Sequence, residues 1–447
     1  MLARLLSPAD FGLMAIAFVA ILFLEAISTT GIHHALIQRR EAPETLFDTA
    51  WTAGLLRSGF IATCLVATAP MLGHLFGAPA AVPVLRAMAL FALLQGLTNV
   101  AIAMLNRNLM FGRYYVLQIS GIVADLCVAV PLAFWLGTVW ALVWGAIAHA
   151  AARVVVSFLV HPYRPRIRLD RDELRELYRY GRWVTISSAL EWALTEGVHG
   201  ATGYLLGVRV LGVYRVAWRI ASVPVGQIAE PVARVTIGAY ARLQDSPDRI
   251  DRAYRRVTAA TALVVWPAAV AIVLYAAPIV RVLLGERWLD AVDVVQILAL
   301  AGLLRSATGT WRSLFQGIGR PEAHASAAAG ELAVVLALLW PLTREFGALG
   351  PAMAVAIGGA AGVVLAVAML SRTIRIAPRM IVMPIVMPGL ACIPWVVASS
   401  WWSTHVETAV GLVAHLGMAA VVYLATLYAM HRVGVYRVDP TVFQAMR

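Results

Sequence analysis

The sequence predicts an all-α polytopic membrane protein built as two six-helix lobes, related as a parallel repeat, plus two C-terminal helices. Three observations predict it. The chain is 61% hydrophobic and 13% charged, about half the charged share of an average soluble domain, and its mean hydropathy is +0.79. Apolar runs near the length of a bilayer crossing recur from end to end. The two halves also carry matching residues at a nearly constant offset.

The opening stretch MLARLLSPADFG reads as the last turn of a helix followed by a Ser-Pro turn. Apolar runs follow at 11–31, 50–73, 82–105, 114–136, 139–160, 183–207, 213–240, 257–284, 291–316, 324–343, 348–371, 380–402 and 408–430. Each approaches the ~20 residues that span a hydrocarbon core. These are thirteen complete spans; the fragment 1–6 is read as the end of a truncated first helix of fourteen. The expectation is an additional helix encoded upstream of Met1, which an in-frame stop close to the start, with no earlier apolar coding run, refutes. Pro384, Pro388 and Pro394 predict that the 380–402 span is bent and peripheral. Cys64, Cys127 and Cys392 lie inside the runs, so the pattern supports neither a disulfide framework nor a zinc cluster.

All 36 basic residues are arginine, and the formal net charge is +12. About 23 of them fall in the loops after the second, fourth, sixth, eighth, tenth and twelfth helices and in the tail, against about five in the other loops. Short basic loops stay cytoplasmic, which puts the C-terminus inside. The membrane explanation absorbs the basic balance and leaves no case for nucleic acid as a partner.

The repeat is carried by successive matches. LLSPADFGLMAIA at 5–17 pairs with LLGVRVLGVYRVA at 205–217, bringing Gly12 onto Gly212. Pro70, Leu75 and Gly77 pair with Pro278, Leu283 and Gly285; Leu90, Leu93 and Leu94 with Leu300, Leu303 and Leu304. Gly112-Arg113 pairs with Gly319-Arg320, and Pro131-Leu132 and Gly137 with Pro341-Leu342 and Gly347. The near-constant offset argues for duplication. An even number of helices per copy gives both copies the same orientation, as in transporters whose substrate path runs between halves. The domains read as an N-lobe at 1–160, a cytoplasmic amphipathic linker at 161–182, a C-lobe at 183–372, and two additional helices with a tail at 373–447. In the linker, Asp170 and Glu173 resemble a capping box, and Leu174, Leu177 and Tyr178 form an apolar stripe. An arginine-rich helix on the inner membrane surface is expected there. With the cluster Arg249 to Arg256 it would attract anionic membrane lipids or dock cytoplasmic enzymes.

Polar residues at depth are the candidate site. An arginine at a helix centre costs about 2.5–3.5 kcal/mol on insertion scales, against about 0.3–0.6 returned per large aliphatic residue. In AGLLRSATGTWRSLFQGIGR, Arg305 and Arg312 are two turns apart, so Gly302, Arg305, Gly309, Arg312 and Gln316 share an arc of about 80°. Arg57 and Arg219 repeat the situation in other spans. Each either snorkels, pairs with a buried acid, or joins a cationic chamber suited to a phosphate-bearing ligand. In WVTISSALEWALTEGVHGATG, ideal helical spacing aligns Ser188, Glu191, Thr195, His199 and Thr202 as a polar stripe. Glu25, Asp125 and Glu230, the last beside Pro231, complete the set. Each carboxylate is a counter-ion for an arginine or the carrier of a coupling proton or sodium ion. His33-His34 has no matching ligand set and reads as packing, so no metal site is expected.

No glycine-rich phosphate loop, His-Glu-x-x-His or nucleophile elbow is present, and no catalytic residues or organic cofactor are assigned. ARLLSPADFGLMAIA, ALIQRRE, VWALVWG, LLGVRVLGVYRVAWRIASVP, ARLQ and LLGERWLDAVDVVQILALA together resemble the Wzx-type polysaccharide flippases of the multidrug/oligosaccharidyl-lipid/polysaccharide exporter superfamily, in the colanic-acid-exporter-like branch. The resemblance implies a fourteen-helix transporter, not an enzyme, that moves an undecaprenyl-pyrophosphate-linked oligosaccharide across the bacterial inner membrane for lipopolysaccharide or exopolysaccharide synthesis. It implies work alongside glycosyltransferases and a polymerase. By helix location, it makes Arg57, Arg305 and Arg312 candidates for the pyrophosphate. The superfamily also contains ion-coupled exporters of small amphipathic cations, the alternative reading. Two departures bear on coupling and gating: Val198-His199 replaces a common aspartate, and Ile237-Gly238 replaces a common Phe-Pro.

Overall fold

A computed structural model describes the chain except residues 1, 29–43, 103–109, 173–188, 244–245, 375–377, 403–407 and 434–447. Every regular element among the described residues is helical, and ten helices are long and apolar enough to cross a membrane. Their outer faces carry large apolar side chains, such as Leu56, Phe60, Trp135, Leu159 and Val364. So extensive an apolar surface is unsuited to water and suited to lipid. The chain divides into two compact units, Met1–Arg215 and Val216–Arg447.

Unit 1 opens with α1 (Leu2–Leu5) and α2 (Pro8–Ser28). Ser7 caps α2: its hydroxyl accepts from the Asp10 amide at 3.3 Å, while Asp10 Oδ2 accepts from the Ser7 amide at 3.0 Å. Reciprocal capping and Pro8 in the first turn fix the restart that the Ser-Pro pair predicts. Asp10 Oδ1 also accepts from the Val139 amide at 2.9 Å, tying this turn to the loop between α5 (Phe111–Leu136) and α6 (Trp140–Val160). α3 (Glu44–Leu75) and α4 (Ala81–Leu97) complete the long helices of this unit. Ile16, Leu65, Leu85, Met88 and Val143 interlock as its core. Beyond Ala189 a π-helical turn, Ala193–Gly197, leads into α7 (Val198–Leu206). Gly207, at φ 84°, separates α7 from α8 (Val208–Ala221).

α2 and α8 cross backbone to backbone. A Cβ on Gly12 would overlap the Val208 carbonyl, and one on Gly212 would overlap the Pro8 carbonyl. The contact is reciprocal because each glycine sits four residues after the carbonyl that its counterpart meets.

Unit 2 continues through a second π turn, Val225–Ala229, into α9 (Glu230–Leu243), α10 (Pro247–Leu274) and α11 (Ala276–Leu283). A 3₁₀ turn, Glu286–Ala291, precedes α12 (Val292–Gly317). α13 (Pro321–Phe346) and α14 (Leu349–Ile374) form a hairpin. Next come α15 (Pro378–Leu390), α16 (Ile393–Trp402) and α17 (Ala409–Arg432). The core gathers Tyr240, Tyr254, Trp311, Phe315, Leu370 and Ile381. Trp311 Nε1 donates to the Tyr254 hydroxyl at 2.7 Å, which donates to the Ile381 carbonyl at 3.3 Å.

Gly77 and Gly285, and Gly137 and Gly347, which the sequence pairs, all have positive φ. Gly112 and Gly319 do not share this geometry: Gly112 is inside α5, whereas Gly319 is a turn residue at φ 74°. The 380–402 run breaks at Ala391–Cys392, while Pro384 and Pro388 stay inside α15. The run 257–284 breaks at Tyr275, and 213–240 at Ser222.

Residues 161–170, the first part of the linker, have no regular secondary structure, and 171–172 are helical, directly after the Asp170 that the sequence reads as a capping start. Pro162 and Pro165 disfavour a helix there, and α3 supplies substitute partners. Asp48 accepts from the Tyr163 hydroxyl and, at 2.8 Å, from the Arg166 amide. Thr52 accepts from the Arg168 amide at 3.1 Å, and Asn99 Nδ2 donates to the Tyr163 carbonyl at 2.8 Å. His161 Nδ1 faces the Tyr163 amide at 3.2 Å. Burial, then the charges of Arg113 and Arg164, push the His161 pKa below its ordinary value. The stripe of Leu174, Leu177 and Tyr178, together with His33, His34 and Ser188, lies outside the described residues.

Candidate functional site

Arg57 projects from α3 and is half-buried. Its Nε donates to Ser28 Oγ at 2.9 Å and its Nη2 to the Glu25 carbonyl at 3.3 Å, so the end of α2 holds the guanidinium. The Glu25 carboxylate lies within electrostatic reach of Arg57 and accepts from Gln95 Nε2 at 3.5 Å. Two sequence candidates, Glu25 and Arg57, therefore belong to one cluster.

The stretch 191–202 departs from ideal spacing because Ala193–Gly197 is π-helical. A π turn inserts an extra residue, so side chains beyond it rotate relative to those before it. The side chain of Thr195 bonds the Glu191 carbonyl at 2.7 Å, and Glu191 itself is exposed. His199 is buried and meets Glu196 Oε2 through Nδ1 at 3.3 Å. Arg215 Nη1 donates to the same oxygen at 2.6 Å, and its guanidinium lies 5.4 Å from the Phe18 ring centre. Sequence reasoning missed Glu196 and Arg215. Glu196 is off the predicted stripe at ideal spacing, and no local motif links it to a residue 19 positions later.

Asp125 is placed separately, between α5 and α6. Its carboxylate packs where a Gly145 Cβ would sit and acts electrostatically on His149.

In unit 2, α12 is continuous, and Arg305 and Arg312 occupy one face two turns apart. That face is the open side of the helix: Arg305, Gly309 and Arg312 are half-buried and Gln316 is exposed, whereas Trp311, Ser313, Leu314 and Phe315 are buried. The Arg305 guanidinium sits 5.2 Å over the Trp218 ring, a cation–π contact. Glu331, 8% exposed on α13, feels the charge of Arg305. Gly362 on α14 makes room for it: a Cβ there would lie 2.8 Å from Glu331 Oε2. A lone acid in AAAGELAVV was the signal available for Glu331. Arg219 is exposed at the last turn of α8, and Glu230 is exposed directly after the second π turn.

Among the described residues no group of three or more His, Cys, Asp or Glu side chains is arranged to hold a metal ion. The chemistry on view is therefore that of cations, carboxylates and hydroxyls set within apolar helices. Guanidiniums in such settings bind phosphate and carboxylate oxygens in bidentate geometry.

The chain is 23% identical over 324 residues to the lipopolysaccharide biosynthesis protein WzxC of Escherichia coli K12, covering 72% of this chain and 66% of WzxC. It is 28% identical over 320 residues to the succinoglycan biosynthesis transport protein ExoT of Rhizobium meliloti 1021, covering 71% of this chain and 65% of ExoT. The match thus spans just under two thirds of either relative. Among solved structures, the lipid II flippase MurJ in an inward closed conformation superposes with a TM-score of 0.73 at 12% identity, covering 96% of this chain and 93% of MurJ. An inward-facing multidrug resistance MATE transporter of the MOP superfamily gives 0.65 at 19%, covering 83% and 92%. At those identities the likeness establishes the fold. The family model described as polysaccharide biosynthesis protein matches residues 1–293, about two thirds of the sequence, and the chain belongs to that family.

Proposed function

We propose that the protein is a bacterial inner-membrane flippase, not an enzyme, that carries an undecaprenyl-pyrophosphate-linked oligosaccharide repeat unit to the outer leaflet by alternating access. In this reading the chain has thirteen complete spans, arranged as two lobes with two helices appended, and a cytoplasmic C-terminus. The observation that carries the reading is the placement of Arg57 and Arg305 part-way along apolar helices, held by a hydroxyl, a carbonyl and an indole face. An arginine costs kilocalories at such depth, part of which Glu25 and Glu331 return, and an anionic headgroup is the ligand that such guanidiniums suit. WzxC and ExoT, named for lipopolysaccharide biosynthesis and succinoglycan transport, support the substrate class.

Arg57 in unit 1, and Arg305, Arg312 and Arg219 in unit 2, are each candidates to contact the pyrophosphate. Glu25, Glu191, Glu230, Asp125 and His199 supply the counter-charges or the proton or sodium site that couples transport. Glycosyltransferases and a polymerase act before and after the crossing. The MATE-like fold keeps one rival reading, export of amphipathic cations, and the arginines oppose it electrostatically.

Deletion of the gene should accumulate lipid-linked repeat units on the inner leaflet. Arg305→Ala and Arg312→Ala should abolish export at normal protein levels. Unchanged outer-leaflet delivery after deletion rejects the flippase reading, and a gain in drug sensitivity with intact polysaccharide export establishes the rival.

A further inference from the structure

One carboxylate oxygen in unit 1 is shared by two nitrogen groups. Arg215 Nη1 donates to Glu196 Oε2 at 2.6 Å, and His199 Nδ1 stands 3.3 Å from the same atom. Side-chain exposure rises from 3% at His199 through 14% at Glu196 to 25% at Arg215, so the imidazole is the sealed end of the cluster and the guanidinium its open end. His199 precedes Gly207, where α7 ends, by a helical rise of about 12 Å. The Tyr214 ring meets the imidazole edge-on with centroids 5.5 Å apart, and the guanidinium of Arg215 lies 5.4 Å from the Phe18 ring centre. α2 and the residue after α3 bring Val19 and Phe76 against Gly200 and Gly203, and neither carries a charge. The charged and titratable groups that face His199 among the described residues are thus Glu196 in the π turn, and Arg215 and Tyr214 on α8.

This cluster has two charge states. With the imidazole neutral, carboxylate and guanidinium cancel. With the imidazole protonated, a second cation leans on the same oxygen and one positive charge remains. Histidine is the side chain that ordinarily makes this change between about pH 5 and 8. A metal cation has no comparable place, because hard cations take a shell of oxygens. The groups at Glu196 Oε2 are instead a guanidinium and an imidazole, while the Thr195 and Thr202 hydroxyls turn to carbonyls of their own helical stretch at 2.7 and 2.8 Å. A sodium ion at that oxygen would have to displace Arg215 against a like charge.

We infer that Glu196, His199 and Arg215 form the proton site of the transport cycle, an inference that rests on the flippase reading and decides for a proton over a sodium ion. One proton comes from water, one N–H bond forms on the ring, and the imidazolium presents Nδ1–H to Glu196 Oε2. The charge of Glu196, taken by Arg215 alone beforehand, is then divided between two cations. Arg215 is the partner that yields, being the most exposed of the three and having the Phe18 face beside it. Proton occupancy therefore sets how firmly α8 is tied to the π turn.

The test uses the full-length protein in nanodiscs with isotope-labelled histidine read by nitrogen NMR, the His199 signals being those lost in His199→Gln. His199 should pass from imidazole to imidazolium as the pH falls from about 8 to about 5, alike in sodium and potassium buffers. Glu196→Gln should weaken that proton binding at least about tenfold, because the imidazolium loses its counter-charge, and Arg215→Gln should strengthen it, because a competing cation leaves. Where Arg215→Gln does not fold, Glu196→Gln decides alone. An imidazole that stays neutral throughout, changes of the same sign in both variants, or displacement of the proton by sodium overturns the inference. In proteoliposomes, crossing of the lipid-linked oligosaccharide extracted from the deletion strain should follow a pH gradient and lose that dependence in His199→Gln. If crossing follows a sodium gradient instead, or keeps its pH dependence in His199→Gln, the proton assignment fails while the flippase reading stands. If nothing crosses under either gradient although His199 titrates as expected, the flippase reading fails and the transport role of the cluster with it.

Discussion

Replacing Gly12 by alanine tests the closest helix crossing in unit 1. In a free helix the change is favourable by about 0.8–1 kcal/mol, because glycine loses more backbone freedom on ordering. At this position the new methyl group meets the Val208 carbonyl and, at 2.7 Å, Val208 Cγ1. The carbonyl is backbone in α8 and cannot rotate away, so the helices must part and forfeit dispersion contacts along their length. Overpacking costs about 1–3 kcal/mol, and an unyielding obstacle argues for the upper end. The net expectation is about 2 kcal/mol of destabilisation. For a unit of this size that is a fall of about 4–8 °C in melting temperature.

Fluorescence-detected chromatography of detergent-solubilised protein after heating reads this directly. Gly212→Ala should behave alike, since its Cβ would meet the Pro8 carbonyl. Gly59→Ala is the control: nothing lies within 4 Å of its Cβ position, so it should be neutral or slightly stabilising. Equal melting temperatures for the Gly12, Gly212 and Gly59 variants would refute the claim that these backbones touch.

Arg215→Ala strands Glu196 in a largely buried position, with side-chain exposures of 25% and 14% for the pair. The expected loss is about 3 kcal/mol, the low end for a buried pair, and adding Glu196→Gln should recover most of it in the same heating assay. Asp48→Ala removes the acceptor for Tyr163 and Arg166; at about 1.5 kcal/mol for a bond to a charged group, trypsin should cleave after Arg166 at least about tenfold faster. His161, with its pKa held down, binds fewer protons folded than unfolded. Its contribution is therefore complete above the unfolded value of about 6.5 and is lost as pH falls through the folded value. Protection of the Tyr163 amide against hydrogen exchange, corrected for intrinsic rates, should drop on acidification and remain flat in His161→Gln.

Helix placement was legible because apolar runs of bilayer length leave few alternatives. Residues 139–160 and 291–316 match Trp140–Val160 and Val292–Gly317 closely. The breaks at Ser222, Tyr275 and Ala391–Cys392 were not legible, since hydropathy does not register a local kink. The common face of Arg305 and Arg312 was legible because α12 is regular and ideal spacing applies to it. Glu196 was lost because a periodicity of 3.6 assumes an unbroken α-helix, and the π turn violates it. The support of Arg57 by Ser28, and of the 161–170 segment by Asp48 and Thr52, joins residues far apart in sequence. Composition and spacing carry no trace of such pairings.

The π turn at Ala193–Gly197 also bears on how this stretch can change. Because it contains one residue more than an α-helix needs, excising a single residue there would regularise the coil rather than throw every later side chain out of phase. A one-codon deletion, ruinous almost anywhere else in a membrane span, would at this spot cost chiefly the meeting of Glu196 with His199 and Arg215. Variation in length, and not only in residue type, is thus a natural route by which the segment gains or sheds its buried ion pair.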